Sequence, residues 1–266
     1  MLENLSLDGK TIVITGGGTG LGKEMTLAMA RAGADLVIAA RRVGPIEEVA
    51  ALVMGLGRRA LAIPTDVTDS AQVARLFDRT LVEFGKVDVL INNAGLVGGG
   101  GKPIWEITDE TWKNGIDGNL TSAFYCARAI SKHMVDRGQG KIVNMASGYG
   151  LRGGKDTYIY SSAKGAVINF TRSLATSLGR YGVTSNCIAP GFVPTSGTEE
   201  SNMNLPQSPF IPIGRAGRPT ELGPIAVFLA SGASDYMNGE LLVIDGGGLA
   251  GGYAPTGYAP EIPLEV

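Results

Sequence analysis

The chain has 266 residues, 44% hydrophobic and 18% charged, so it can bury a large core and does not have the composition of a disordered protein. Its formal net charge is −2 and its charged residues are scattered, which argues against nucleic acid or an anionic membrane as a partner. We expect a cytoplasmic protein, because residues 1–10 lack the features of a signal peptide and no apolar run reaches the roughly 20 residues that span a bilayer.

Neither a metal site nor a disulfide is expected. His133 is the only histidine, and no spacing of Cys and His resembles a zinc motif. The two cysteines, Cys126 and Cys187, fall in a predicted helix and a predicted strand, where a free thiol usually behaves as a small buried apolar group. We therefore interpret both as structural thiols.

Short runs rich in Val and Ile alternate along the chain with longer helical stretches, which is the pattern of repeated strand-helix-strand units. Most of these runs are apolar on both faces, so helices should cover both sides of the sheet. The predicted strands are Thr11 to Thr15, Asp35 to Ala40, Ala60 to Ile63, Val87 to Ile91, Lys141 to Ala146, Val183 to Ile188 and Leu241 to Ile244. Gly33 and Gly85 mark predicted helix ends, and Asp69 or Ser70 marks a helix start.

This alternation predicts an α/β protein with a doubly wound, parallel, seven-stranded sheet and helices on both faces, a Rossmann fold. We assign residues 1–250 to one such domain. Residues 191–212, rich in Pro, Ser, Asn and Thr, interrupt the alternation and are a candidate substrate loop. Residues 251–266 form a C-terminal tail that is either disordered or docked on a neighbouring subunit.

A glycine-rich loop, Thr15 to Gly22, follows the first predicted strand directly and precedes an amphipathic helix. Glycines allow positive φ and close approach of the backbone, and the N–H groups of a helix N-terminus attract an anion. The loop therefore predicts the site of a dinucleotide pyrophosphate; a purely structural tight turn is the alternative.

The residues after the second predicted strand bear on the choice of cofactor. A carboxylate there would bind the ribose 2′-hydroxyl of NAD and repel a 2′-phosphate. The chain has Ala40, Arg41 and Arg42 instead, and a guanidinium group can pair bidentately with phosphate oxygens. We predict NADP(H) in preference to NAD(H); the alternative is that both arginines are solvated charges at a strand end.

Tyr160 and Lys164 are four residues apart on a predicted helix and share one of its faces. Ser147 ends the fifth predicted strand, at the carboxyl edge where such sheets bind ligands. A phenol titrates near pH 10 in water, so we expect the Lys164 ammonium to bring the pKa of Tyr160 toward neutrality. Tyr160 would then act as general acid and base on a substrate oxygen held by Ser147. The alternative is a helix-surface pair beside an ordinary turn residue.

From about Leu7 to Gly248 the chain resembles the short-chain dehydrogenase/reductase family, and in particular its 3-oxoacyl-[acyl-carrier-protein] reductases. The motifs that carry the resemblance are the Thr-Gly-x-x-x-Gly-x-Gly pattern from Thr15, Asp66-Val67, Asn92 to Gly95, and Tyr160 to Lys164. The resemblance implies a homotetramer and a catalytic tetrad of Asn119, Ser147, Tyr160 and Lys164, with Asn119 in a proton relay behind Lys164. Taken alone, Asn119 is a polar helix residue that could simply bond the i−4 carbonyl.

Motif and resemblance together predict the residues around the cofactor and substrate. The cofactor-binding residues are Gly16, Thr19, Gly20, Leu21, Arg41, Arg42, Asp66, Val67, Asn93, Ala94, Gly95, Tyr160, Lys164, Pro190, Gly191, Val193 and Thr195. Candidates for the substrate pocket are Leu96, Val97, Tyr149, Leu151, Tyr158 and Phe192.

We therefore expect an NADP-dependent oxidoreductase that transfers a hydride reversibly between NADPH and a ketone or secondary alcohol, as 3-oxoacyl thioester reductases do. Two alternatives stay open: an NAD(P)-dependent dehydrogenase of a sugar, polyol or steroid alcohol, and a noncatalytic NADP-sensing protein. The expected partners are a small-molecule substrate and further copies of the chain.

Overall fold

A computed structural model describes residues 3–96, 101–195 and 211–251 of the chain. Within these residues seven strands form one parallel sheet in the order β3-β2-β1-β4-β5-β6-β7. The strands are β1 Thr11–Thr15, β2 Asp35–Ala40, β3 Ala60–Pro64, β4 Val89–Asn92, β5 Gly140–Met145, β6 Val183–Pro190 and β7 Leu241–Ile244. The predicted doubly wound parallel sheet is confirmed.

Helices alternate with the strands, and their ends carry the expected signals. The helices are α1 Gly20–Arg31, α2 Val43–Gly55, α3 Ser70–Phe84, α4 Asp109–Ile116, a π-helical turn Asp117–Thr121, α5 Ser122–Asp136, α6 Tyr158–Leu178 and α7 Gly223–Ala230. Asp69 caps α3 by accepting hydrogen bonds from the N–H groups of Ala71 and Gln72, and Gly85 ends it at a φ of 73°. No helix in the described ranges has both the length and the apolar character needed to cross a bilayer.

Alternate residues of the strands pack against opposite helix layers. Ile12 and Ile14 of β1 lie in a core cluster with residues of α1, α2 and α7, whereas Val13 lies in a second cluster with residues of α3 and α5. Successive side chains of a strand point to opposite faces, so a strand covered on both sides is apolar throughout. This arrangement explains the continuous Val and Ile runs in the sequence.

The two cysteines are buried free thiols, as predicted, Cys126 in α5 and Cys187 in β6. Burial raises the pKa of Cys126 to about 12 and that of Cys187 to about 11. Both side chains therefore stay protonated at neutral pH and contribute to packing rather than to chemistry.

The predicted ends of several strands are shifted by one or two residues. β4 begins at Val89 and not at Val87, because the N–H of Val87 donates to Nε2 of His133 (3.3 Å) and not to a neighbouring strand. The other strands that differ are β3, β5 and β6, which end at Pro64, Met145 and Pro190. Hydropathy locates the buried centre of a strand, whereas its ends depend on the last main-chain hydrogen bonds.

Parts of two predicted segments lie outside the described residues. The candidate substrate loop is described at 191–195 and 211–212, and the candidate tail only at Gly251. Val97, a predicted pocket residue, also falls outside. The roles of both segments, the domain boundary at residue 250 and the homotetramer stay predictions.

Candidate active site

A cleft of about 1260 Å³ opens at the carboxyl edge of the sheet. It lies beside β1, from which the strand order runs in opposite directions through β2 and through β4. Doubly wound sheets bind their ligands at this switch point. The cleft is lined by every residue predicted for catalysis or cofactor binding, namely Gly16, Thr19, Gly20, Leu21, Arg41, Arg42, Asp66, Val67, Asn93, Ala94, Gly95, Asn119, Ser147, Tyr160, Lys164, Pro190, Gly191, Val193 and Thr195. The structure thus brings these residues together, and their individual roles stay predictions.

The glycine loop gives the cleft a wall of main chain. Gly16 and Gly20 have φ of 66° and 53°, a conformation that side chains disfavour. A Cβ atom on Gly22 would lie 2.1 Å from the carbonyl oxygen of Gly16. Because α1 begins at Gly20, its N-terminus borders the cleft, where free N–H groups favour an anion.

Thr15 and Asn93 tie the glycine loop to the segment that follows β4. The hydroxyl of Thr15 accepts hydrogen bonds from the N–H groups of Asn93 (3.1 Å) and Ala94 (3.0 Å). In return, Nδ2 of Asn93 donates to the carbonyl oxygens of Thr15 (2.9 Å) and Gly16 (3.1 Å). Asn93 therefore fixes the loop as well as lining the cleft. The sequence did not predict that the Thr15 hydroxyl joins these two segments, because only its position before the first glycine distinguishes this threonine.

Arg41 and Arg42 are exposed side chains at the end of β2, on the rim of the cleft. Among the residues that the structure describes, neither guanidinium forms a hydrogen bond or an ion pair with the protein. Asp66, a predicted cofactor-binding residue that also lines the cleft, accepts hydrogen bonds from the N–H and hydroxyl of Thr68. Two uncompensated guanidinium groups in this position are suited to binding a phosphate.

Tyr160, Lys164 and Ser147 meet at the other side of the cleft. Tyr160 and Lys164 lie in the first two turns of α6, with Nζ 5.6 Å from the centroid of the phenol ring. Ser147 follows β5 and lines the same part of the cleft, and its hydroxyl accepts a hydrogen bond from the N–H of Tyr149 (3.2 Å). Lys164 is 4% exposed and its Nζ donates to the carbonyl oxygen of Met145 (2.9 Å). The predicted helical pair and its serine neighbour are therefore one constellation and not a surface pair.

The protonation of this constellation differs from the sequence-based expectation. Burial raises the pKa of Tyr160, the hydrogen bond with Ser147 opposes this, and the net pKa lies above the ordinary value. Burial also lowers the pKa of Lys164 to about 8. The expected lowering of the Tyr160 pKa by Lys164 is wrong for this arrangement, because both groups are desolvated and the ammonium is directed to Met145. Tyr160 keeps its proton at neutral pH and is ready to donate it.

Asn119 lies in the π-helical turn between α4 and α5 and is nearly fully buried. Its Nδ2 donates to the carbonyl oxygens of Gly115 (2.9 Å) and Leu96 (3.1 Å), and its Oδ1 accepts from the N–H of Leu96 (3.2 Å). A Cβ atom on Gly95 would lie 2.9 Å from Oδ1 of Asn119 and 3.3 Å from Nζ of Lys164. Asn119 therefore forms the hydrogen bond to the i−4 carbonyl and also lies near Lys164, because glycine at position 95 leaves room for both side chains.

Two charged residues of the cleft were missed by sequence reasoning. Arg152 lies in the turn before α6 and lines the cleft. Asp245 follows β7 and accepts hydrogen bonds from the N–H groups of Gly247 (2.9 Å) and Leu249 (2.7 Å). This turn brings Leu249 into the cleft. Asp245 could be noticed from its Asp-Gly-Gly motif, whereas no pattern in the sequence distinguishes Arg152.

The structure places some of the predicted substrate-pocket residues in the lining of the cleft and others outside it. Leu96, Tyr149 and Phe192 line the cleft, and the ring of Tyr149 packs edge-on against that of Tyr160 at 6.3 Å between centroids. Leu151 and Tyr158 are not part of its described lining, and their place in a substrate pocket stays a prediction. The hydroxyl of Tyr158 donates to Asp156 (3.1 Å) instead.

The comparison with known proteins accounts for this geometry. The family model described as short chain dehydrogenase matches residues 10–206. The chain belongs to the short-chain dehydrogenase/reductase family. Members of this family act on CH–OH and C=O groups, and the chain is accordingly an NAD(P)-dependent oxidoreductase.

Relatives of known name cover almost the whole chain. The 2-dehydro-3-deoxy-D-gluconate 5-dehydrogenase of Escherichia coli (strain K12) is 39% identical over 256 residues, which is 94% of this chain and 99% of the relative. The 3-oxoacyl-[acyl-carrier-protein] reductase of Synechocystis sp. is 36% identical over 244 residues, or 91% and 98% of the two chains. The crystal structure of a gluconate 5-dehydrogenase from Burkholderia cenocepacia in complex with NADP and tartrate has a TM-score of 0.88 at 32% identity, covering 94% of this chain and 98% of the other.

Proposed function

We propose that this short-chain dehydrogenase/reductase interconverts a ketone and a secondary alcohol of a sugar-derived carboxylic acid, with NADP(H) as cofactor and Tyr160 as proton donor and acceptor. One observation carries the proposal: a single cleft contains Ser147, Tyr160 and Lys164 beside β5 and contains Arg41 and Arg42 beside β2. β2 and β5 are three strands apart in the sheet, about 14 Å at the usual strand spacing. This separation suits an extended dinucleotide with a different group recognised at each end.

The residues of the cleft fit NADP(H) on structural grounds. The glycine loop leaves space that a Cβ atom would fill, and Arg41 and Arg42 offer guanidinium groups without a protein partner in the described residues. When bound, the nicotinamide ring supplies or accepts the hydride. The loop and the N-terminus of α1 would hold the pyrophosphate, and the arginines would hold the 2′-phosphate.

The protein residues supply the proton and orient the substrate. Ser147 would hold the substrate oxygen by a hydrogen bond. Tyr160 would donate its proton to that oxygen in reduction and accept it back in oxidation, for which its raised pKa favours the protonated, donating form at neutral pH. Lys164 would bind the adjacent ribose through its ammonium group.

The substrate class is inferred from the relatives. The Escherichia coli relative and the Burkholderia structure are named for oxidation of gluconate derivatives at carbon 5, which favours the sugar side of our sequence-based alternatives. Reduction of a 3-oxoacyl thioester is the second candidate, favoured by the Synechocystis relative and by the apolar Leu96, Phe192 and Leu249 in the cleft. A noncatalytic role is opposed by the assembled Ser147, Tyr160 and Lys164.

Replacing Tyr160 by Phe tests the catalytic part of the proposal. Tyr160→Phe should keep its affinity for NADPH, measured by fluorescence titration, and lose about 10²- to 10⁴-fold in kcat, because only the proton donor is removed. The assay follows NADPH consumption with 5-keto-D-gluconate, acetoacetyl-CoA and neutral ketones as substrates. Tyr158→Phe is the matched control, two residues away and outside the described lining of the cleft. Equal losses in the two variants, or no NADPH consumption by the wild type on any carbonyl compound, would refute the proposal.

A further inference from the structure

Arg152 is an exposed residue of the turn before α6, and it lines the cleft on the side of Tyr149 and Tyr160. Its guanidinium carbon lies 5.6 Å from the ring centroid of Tyr149, within the range of a cation–π contact. Tyr149 in turn packs against Tyr160, at 6.3 Å between ring centroids. Two adjoining contacts thus connect the guanidinium to the proposed proton donor, and the aromatic ring of Tyr149 restricts where the arginine can point.

The charge of Arg152 is not compensated within the described part of the protein. No carboxylate there forms an ion pair with it, and no group there hydrogen-bonds to it. The other charged residues on this side of the cleft are engaged: Lys164 donates to Met145, and Asp245 accepts from two N–H groups of its own turn. Arg41 and Arg42 belong to the opposite side, beside β2.

We propose that Arg152 binds the carboxylate of the substrate and thereby selects hydroxy and keto acids over their neutral analogues. This inference rests on the proposed function and specifies its substrate class. A guanidinium group offers two parallel N–H donors that match the two oxygens of a carboxylate, and Arg152, although exposed, lines the cleft in which such a substrate would bind.

The test compares two substrates that differ only in this group. 5-Keto-D-gluconate and L-sorbose have the same ketone and hydroxyl chain, but the first ends in a carboxylate and the second in a hydroxymethyl group. Binding of each to the protein saturated with NADP⁺ is measured by isothermal titration calorimetry, which needs no turnover and leaves the 2′-phosphate site filled. Arg152→Gln should weaken binding of the keto acid about 10- to 100-fold, and Arg152→Lys should weaken it less, because it keeps the charge but loses the paired geometry.

The controls separate this role from a general loss of structure or function. Lys155→Gln removes an equal charge from an exposed residue that is outside the described lining of the cleft, and it should bind the keto acid as the wild type does. The Arg152 variants should bind NADPH with unchanged affinity. The inference is overturned if wild-type protein binds L-sorbose as tightly as the keto acid, if it binds no keto acid, or if Arg152→Gln binds it like the wild type. If Arg152→Gln binds the keto acid like the wild type, the proposed function still stands as long as the wild type reduces the keto acid with NADPH, whereas no reduction of any carbonyl compound would refute the function itself.

Discussion

At the scale of single residues, we propose that the side chains at the end of β2 decide which cofactor the cleft accepts. Arg41 and Arg42 stand where a carboxylate would recognise an unphosphorylated ribose, and their charge is not neutralised by described residues. An anion that reaches this point gains charge-assisted hydrogen bonds without first displacing a protein partner. We therefore expect the choice between NADP(H) and NAD(H) to depend on one or two residues rather than on the fold.

Charge reversal at Arg41 should invert the cofactor preference. Arg41→Asp both repels a 2′-phosphate and offers a carboxylate to a 2′-hydroxyl, so the ratio of kcat/KM for NADPH to that for NADH should fall by about 100-fold or more. Steady-state kinetics with each cofactor measure the ratio. Arg79→Asp, an equal charge reversal on the exposed side of α3, should leave it as it is in the wild type. Equal catalytic efficiency of the wild type with both cofactors would contradict the prediction.

At the scale of secondary-structure elements, the glycine loop keeps its conformation only because certain of its positions have no side chain. Gly22 lies in the first turn of α1, and a Cβ atom there would approach the main chain of Gly16 and Nδ2 of Asn93 (2.6 Å). Neither neighbour can move freely, because Asn93 is itself bonded to Thr15 and Gly16. The turn that begins α1 is thus coupled to the segment after β4.

Gly22→Ala should destabilise the protein and weaken the cofactor site together. The added methyl group forces this packed loop apart at a cost of about 1–3 kcal/mol, and NADPH affinity should fall with it. Gly55→Ala is the matched control, since a Cβ atom at the end of α2 meets nothing within 4 Å. That variant should be as stable as the wild type or up to about 1 kcal/mol more stable. Urea unfolding and NADPH titration measure both effects, and unchanged NADPH affinity in Gly22→Ala would count against the coupling.

Sequence patterns identified the elements better than their boundaries or their side-chain directions. The apolar runs predicted all seven strands because burial on both faces requires such runs, and the Tyr160 and Lys164 spacing placed both on one helix face. The bond from Lys164 to Met145 could not be predicted, because it depends on how α6 packs over β5. Arg152 was missed for a related reason, since an isolated charge in a turn has no periodic signal.

For the molecule as a whole, a buried carboxylate connects the amino ends of two strands with the carboxyl end of a helix. Asp88, 4% exposed, precedes β4 and accepts from the N–H of Thr11 (2.8 Å) at the start of β1. It also pairs with Arg137 (2.8 Å), just beyond α5, and with Lys86 (3.0 Å). Burial raises the pKa of Asp88, but these hydrogen bonds outweigh it and the net pKa lies below the ordinary value.

Asp88 should therefore make stability depend on acid pH. A carboxyl group whose pKa is lower in the folded state contributes stability above its unfolded pKa of about 3.9, and this contribution is lost as the pH falls through the folded value. Asp88→Asn should lower the free energy of unfolding by about 1.5–3 kcal/mol at pH 7, with a smaller difference from the wild type below pH 4. Denaturant unfolding at pH 7 and pH 3 measures this. Asp78→Asn, at an exposed position, is the control, and a difference that grows toward low pH would argue against the assignment.

All the strands run in one direction, so the sheet has two chemically different edges. The amino edge holds Asp88 with its cationic partners, and the carboxyl edge holds the loops that form the cleft. Mutations that change stability can therefore accumulate at the amino edge, while mutations that change substrate preference accumulate at the carboxyl edge. Because the two groups of residues lie at opposite margins of the sheet, the substrate can change during evolution without replacement of the residues that stabilise the fold.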